Sequence, residues 1–308
     1  MRILLFGSTG QVGWELRRSL SVLGEVIAPG RTPGADGLCG DLHNLDGLAS
    51  TIRAVAPAVI VNAAAYTAVD KAETDSANAI RINAEAPARM AQEAAALGAW
   101  LLHYSTDYVF DGSGSRPWNE DDPTGPLSVY GQTKLAGERA VQSHARYIIL
   151  RTSWVFGARG GNFAKTMLRL ATERETLNLI ADQWGAPTSA ELLADVSAHA
   201  IATALRHPTA AGLYHCAASG ETSWHGYASY VLEQACALGW ALKVQSPAAV
   251  HAIPTSSYPT AAIRPLNSRL NTQRLRDTFG LHLPDWQHGV LRMLQEISPP
   301  PAPRSTST

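Results

Sequence analysis

A short apolar run closed by regularly spaced glycines opens this chain and restricts its fold more than any other feature. Ile3–Phe6 stops at Gly7, which predicts a buried strand. Gly7-Ser8-Thr9-Gly10-Gln11-Val12-Gly13 follows, and Val12, Leu16, Leu20 and Leu23 then recur on one stripe, predicting a helix from Gln11 to Leu23. Strand, glycine turn and helix in succession allow backbone amides to approach a pyrophosphate whose charge faces the helix N-terminus. A glycine-rich turn alone carries no such meaning; its place between strand and helix at the chain start does. Gly7, Thr9, Gly10, Gln11, Val12 and Gly13 are therefore the candidate dinucleotide contacts.

The alternation continues. Strands are predicted at Glu25–Ala28, Ala58–Asn62, Trp100–Tyr104 and Tyr147–Arg151, with helices at Leu45–Val55, Ser76–Leu97 and Ser128–Gln142. Such repetition argues for an α/β fold, a doubly wound parallel sheet of Rossmann type. Beyond about residue 155 the texture changes to helices at Asn162–Arg174, Ala190–Leu205, His225–Leu238, Thr272–Phe279 and Asp285–Glu296, with one strand at Gly212–Cys216. The expected division is a dinucleotide-binding domain over 1–155 and a smaller, mostly helical substrate-binding region over 156–297, some segments of which return to the first. The proline-marked stretch from Pro254 to Pro265 reads as a binding loop because it holds Tyr258 and Arg264. The tail 298–308, almost wholly Pro, Ser, Thr and Ala, reads as disordered.

Twenty-five basic and 26 acidic side chains leave a net charge of −1, which provides no field to gather nucleic acid or an anionic membrane. Three dispersed cysteines form no CxxC and no metal-ligand cluster, in keeping with a reducing, cytoplasmic compartment. No apolar stretch is long enough to span a bilayer, and the opening run is too short for a secretory signal.

Two further segments are placed on the cofactor by their position at carboxyl ends of strands: Asp41 and Leu42 near the adenine, and Ala63 to Thr67, including Ala64, Ala65, Tyr66 and Thr67, after the third central strand. The second strand ends in Pro29-Gly30-Arg31, without the acid that grips ribose hydroxyls in NAD sites. Arg31 is suited to pair with a 2′-phosphate. The reading leans to NADPH and leaves NADH open, since a merely solvated Arg31 would decide nothing.

Tyr130 and Lys134 share one helix face in a chain with only four lysines. An ammonium beside a phenol is expected to lower the phenol's pKa toward the working pH, as a general acid requires. The alternative is an aromatic–aliphatic contact on a surface helix. Thr106, at the end of the Trp100–Tyr104 strand, provides a hydroxyl to hold the oxygen that Tyr130 protonates. Thr106, Tyr130 and Lys134 are thus the candidate catalytic residues for adding a hydride to a carbonyl.

At these residues the chain resembles the extended short-chain dehydrogenases/reductases, and within them the dTDP-4-dehydrorhamnose reductase family. The resemblance rests on Gly7–Trp14, Val61–Ala65, Thr67–Glu73, His103–Phe110, Tyr130–Glu138, Arg151–Val155, Asn162–Leu170, Gly185–Asp195, Tyr258–Thr260 and Arg264–Asn271, nearly the whole chain. It implies reduction of dTDP-6-deoxy-L-lyxo-4-hexulose to dTDP-L-rhamnose, a precursor of lipopolysaccharide O-antigen. It further implies that Tyr104 borders the nicotinamide, with Lys134 gripping its ribose, and that Asp107 and Trp154 touch the sugar; without the resemblance, Trp154 reads equally as a core or interface aromatic. A homodimer is also implied, with Mg²⁺ held between subunits by Glu15 and Glu191 in some members. The departure is at Gly30-Arg31, where members can carry an acid. Related dehydratases follow the site threonine with Asp-Glu, whereas here Thr106-Asp107 is followed by Tyr108. A 4-epimerase would recycle its coenzyme, and a non-catalytic NADP-binding regulatory subunit would not require Tyr130 and Lys134.

Overall fold

The structure, a computed structural model, describes residues 1–244 and 246–298. The expected disordered tail therefore lies, apart from Ser298, outside the described residues. Strands β1 (Arg2–Phe6), β2 (Glu25–Ile27), β3 (Val59–Asn62), β4 (Trp100–Thr106) and β5 (Tyr147–Thr152) alternate with helices α1 (Gln11–Ser21), α2 (Leu45–Val55), α3 (Val69–Ala72), α4 (Ser76–Ile80), α5 (Ala86–Leu97) and α6 (Val129–Val141). Short strands β6 (Val155–Phe156), β7 (Leu177–Ile180), β8 (Trp184–Gly185), β9 (Thr188–Ser189), β10 (Gly212–His215), β11 (Thr222–Ser223) and β12 (Val250–Ile253) are interleaved with helices α7 (Phe163–Glu173), α8 (Ala190–Arg206), α9 (Trp224–Ala237), α10 (Gln273–Phe279) and α11 (Trp286–Ile297).

The main sheet has six strands in the order β10-β5-β4-β3-β1-β2, all parallel. Strand periodicity explains the unbroken apolar runs. Ile3 and Leu5 face α1 and α8, Leu4 and Phe6 face α2 and α5, and all four are buried. Leaving β1 the chain runs outward to β2, then crosses back to β3 on the other side. The crevice at the carboxyl ends of β1 and β3 is therefore the topological switch point. The remaining small strands pair as β11-β8, β12-β7 and β6-β9, around a second core built from Met167, Leu168, Tyr227, Val231, Trp286 and Val290.

The predicted helix from Ser76 to Leu97 is helical throughout but interrupted by a π-helical turn at Arg81–Glu85. Helix α6 lies so close to this turn that a Cβ on Gly137 would meet the Asn83 backbone oxygen at 2.1 Å. The widened turn directs Asn83, buried, toward the active-site side of the sheet.

Candidate active site

Each glycine of the opening turn has a steric reason. Gly7 has φ +82°, and a Cβ there would meet the Ala64 nitrogen at 2.6 Å; one on Gly13 would meet the Gly7 oxygen at 2.0 Å. The turn after β1 thus presses against the turn after β3, at the switch point. Gly10 caps α1 without any side-chain hydrogen bond and no acid stands in the first turn, so the leading amides remain available to an anion. Thr9 is exposed beside them. Val12 packs partly into the core, and Gln11 accepts from Asn162 at 3.0 Å, tying the cradle to the start of α7.

Arg31 is exposed just past β2 and makes no ion pair among the described residues. Asp41 accepts from the His43 amide at 3.1 Å, and Leu42 is buried beneath it. Ala64, Ala65 and Tyr66 are half-buried along the crevice wall and Thr67 is exposed at its end. Asn83 fixes this wall: its amide oxygen accepts from the Tyr66 amide at 2.8 Å, and its nitrogen donates to the Tyr66 carbonyl at 3.0 Å and to Thr133 at 3.2 Å.

Ser128 caps α6 by accepting from Gly131 at 3.2 Å, and the Val129 amide donates to Glu73 at 2.9 Å. Tyr130 occupies the first turn, its ring edge-on to Tyr108 at 5.6 Å. Thr106, the last residue of β4, accepts from the Tyr108 amide at 3.2 Å and donates to Asp107 at 3.1 Å. Lys134 is 2% exposed and donates to the Tyr104 carbonyl at 2.6 Å, with His103 Nε2 at 3.4 Å. The Tyr104 ring takes the opposite direction, its hydroxyl 2.5 Å from Ser197 on α8; it meets the Lys134 side of the sheet through its carbonyl.

The electrostatics correct one expectation. Tyr130 is pushed up to about 12, first by burial and further by the Asp107 charge, with the Thr106 hydroxyl pulling it partly down. Lys134 does not lower it, because the ammonium is directed at a carbonyl and an imidazole. Burial instead brings Lys134 itself down to about 8, against the favourable charge of Glu138. Burial also lifts Asp107 to about 7, opposed by hydrogen bonds from Ser268 and Thr106, and its Oδ2 has no partner among the described residues.

Trp154 follows β5 with φ +50°, a conformation rare for a bulky residue and retained only under constraint from its surroundings. Its ring stacks on Trp224 at 3.6 Å, and Gly185 leaves room for it, since a Cβ there would meet the indole at 2.9 Å. Trp224 in turn lines a cavity of about 790 Å³ with Phe163, Asn178, Gln183, Tyr258 and Arg264. Arg264 reaches across to Asp70, near the start of α3, with bonds of 2.8 and 3.1 Å. The loop reading of 254–265 therefore leads to the cavity, apart from a 3₁₀ turn at Thr255–Ser257.

Glu15 and Glu191 border a small crevice with Glu296. Glu15 is raised by burial first and then by repulsion from Glu191, while Arg292 pairs with Glu191 at 2.7 Å and Arg18 lies 3.6 Å from Glu15. Among the described residues no set of three or more His, Cys, Asp or Glu is arranged to hold a metal ion. His103 and Asn83 escaped the sequence reading; the first had only its place beside Tyr104, and the second no local signal at all.

A tyrosine–lysine helix turn set against a glycine cradle at the switch point is the arrangement of the short-chain dehydrogenases/reductases. A family model described as RmlD substrate binding domain matches residues 1–298. The chain is 56% identical over 298 residues to the dTDP-4-dehydrorhamnose reductase of Escherichia coli K12, covering 96% of this chain and 98% of the other. Solved structures of dTDP-4-dehydrorhamnose reductases from Clostridium acetobutylicum (TM-score 0.85) and from Bacillus anthracis in complex with NADP (TM-score 0.84) are each 33% identical, covering 96% of this chain and 99% of theirs. The chain belongs to the dTDP-4-dehydrorhamnose reductase family.

Proposed function

We propose that this protein reduces the 4-keto group of dTDP-6-deoxy-L-lyxo-4-hexulose to give dTDP-L-rhamnose, with NADPH as the reductant. The observation that carries the reading is the convergence of Thr106, Tyr130 and Asp107 at the end of β4, in a chain that also holds a dinucleotide cradle and a cavity of the size a nucleotide sugar needs. The cradle fits the coenzyme: the uncapped amides of α1 suit its pyrophosphate, and side chains at Gly7 or Gly13 would collide with backbone. When bound, the reduced nicotinamide supplies the hydride. Thr106 holds the ketone oxygen, and Tyr130 donates its proton as negative charge grows there. A phenol near 12 is fully protonated at neutral pH and is still a far stronger acid than a sugar alcohol, so the transfer runs downhill. Lys134, brought down to about 8 by burial and so mostly ammonium at neutral pH, reaches the nicotinamide ribose.

Residues 1–155 carry the coenzyme and 156–297 the nucleotide sugar, with Gly212–His215 returning to the main sheet. Asp107 and Trp154 meet the sugar, Tyr104 borders the nicotinamide, and Arg31 meets the 2′-phosphate of NADPH. The working unit is a homodimer in the cytoplasm; the free thiols Cys39, Cys216 and Cys236 accord with that compartment, and no helix among the described residues is long and apolar enough to cross a membrane. Glu15 and Glu191 suit Mg²⁺ with water completing the shell, and their mutual repulsion is the supporting observation.

The test is to mix the purified protein with the 4-keto sugar nucleotide and NADPH or NADH, follow loss of the reduced-nicotinamide absorbance, and identify the sugar product. Stoichiometric coenzyme oxidation with dTDP-L-rhamnose formed, faster with NADPH, is expected. Conversion without coenzyme consumption would indicate an epimerase instead.

A further inference from the structure

His103 and Asn62 are directly paired residues on β4 and β3, buried at 0% and 1% exposure. They face the helix that carries Lys134. The Asn62 amide oxygen accepts from the Ala64 amide at 3.2 Å, which turns its NH₂ toward His103 Nδ1 at 3.1 Å. Flipping the amide would set its NH₂ against the Ala64 N–H, two donors face to face. Nδ1 must therefore accept, and the proton of the neutral ring belongs on Nε2. That nitrogen lies 3.4 Å from Lys134 Nζ.

We propose that His103 is a positioning residue for the reduction, its Nε2–H, oriented by Asn62, fixing where the Lys134 amine sits and disfavouring the ammonium over the amine. This rests on the ketone reduction assigned above only for its kinetic consequence. Lys134 Nζ already donates to the Tyr104 carbonyl, so an ammonium meets the imidazole N–H donor to donor, whereas an amine accepts from it through its lone pair. The ionisable groups brought near by the surrounding elements are few. Tyr130 and Glu138 lie on the same helix, Arg151 on β5 holds Glu138 at 2.7 and 2.8 Å, and the π turn packed across contributes the neutral amide of Asn83, its Arg81 and Glu85 being partly exposed and paired with each other. Burial and the Lys134 charge both hold His103 well below its ordinary value, so the ring stays neutral across the working range. The chain Ala64–Asn62–His103–Lys134 also links a backbone amide of the coenzyme crevice to the lysine, which gives the coenzyme wall a route to the acid–base group.

Four lysines make a direct test practical. In protein labelled with [¹³Cε]lysine and saturated with NADP⁺, the Lys134 resonance is titrated in wild type and in His103→Phe, which keeps a buried ring but removes the donor. The midpoint is expected to rise by about half a pH unit or more in the variant, with the alkaline limb of kcat moving the same way. An unchanged midpoint, whatever the loss of stability or rate, overturns the proposal. If His103→Phe does not fold, the tautomer of His103 in [¹⁵N]histidine-labelled wild type decides: a proton on Nε2 sustains the proposal and a proton on Nδ1 overturns it. Neither spectroscopic result depends on turnover, so failure of the reductase assay and failure of this proposal remain distinguishable.

Discussion

Asp107 carries a buried carboxylate oxygen, Oδ2, that has no hydrogen-bond partner among the described residues, and burial raises the group to about 7. An unpaired buried oxygen of this kind is costly unless a ligand completes it. A sugar hydroxyl donating to Oδ2 favours the ionised form, so binding the sugar must lower the Asp107 pKa, and protonation must oppose binding. KM for the nucleotide sugar is accordingly expected to rise as pH falls below about 7, by up to about tenfold per unit; Asp107→Asn should raise KM and flatten that dependence. A pH series of KM in both proteins checks it. Tyr130→Phe is expected to lower kcat by roughly 10²–10⁴-fold while NADPH binding, read by fluorescence titration, stays within twofold. Retention of full kcat would remove the acid role from Tyr130.

Helix α6 and the π turn show how an element is positioned by its smallest residue. Alanine at position 137 would gain about 1 kcal/mol of helix propensity. The added methyl, however, would stand 2.1 Å from the Asn83 backbone oxygen, which cannot rotate aside. Overpacking costs roughly 1–3 kcal/mol, which outweighs that gain by up to about 2 kcal/mol, so Gly137→Ala is expected to lower Tm by up to a few degrees. It should also raise KM for NADPH a few-fold, since Asn83 holds the Tyr66 wall. Gly161→Ala, with nothing within 4 Å, is the control and should leave both unchanged. The contrast explains what the sequence made legible. Helices α2, α6 and α7 fall within the stretches predicted at Leu45–Val55, Ser128–Gln142 and Asn162–Arg174, and in the structure Asn44, Ser128 and Asn162 cap them. The two-residue strands β6, β8, β9 and β11 are too short to show alternation. β7 does alternate, Leu177 and Leu179 buried and Asn178 exposed, but its partner β12 lies some seventy residues on, with Val250 opposite Leu177. The π turn has no sequence signature. At the site, Thr106, Tyr130, Lys134 and the glycines could be read because their spacing is local. His103 and Asn83 could not, since their partners arrive through sheet register and helix packing.

Across the whole molecule, the Asp70–Arg264 pair ties the segment 254–265 to helix α3, which follows the third strand of the main sheet. Arg264 lines the large cavity while its guanidinium is held by the Asp70 carboxylate of α3 at 2.8 and 3.1 Å. Two roles follow from that position, and they predict opposite things. If the arginine meets the diphosphate of the substrate, its removal forfeits a charge-assisted contact of roughly 1.5–3 kcal/mol, which corresponds to a KM for the nucleotide sugar raised about tenfold or more. Asp70 then competes with the substrate for the guanidinium and repels its phosphates, so Asp70→Asn should leave KM equal to or below wild type. If the pair serves only to hold the segment 254–265 in place, either substitution breaks the same bridge and both should raise KM alike. The cavity lining favours the first role. Arg264→Ala is therefore expected to raise KM for the nucleotide sugar about tenfold with KM for NADPH within twofold, and Asp70→Asn to do neither. Equal increases in the two variants would assign the pair to holding the segment, and the diphosphate would have to be met elsewhere in the cavity.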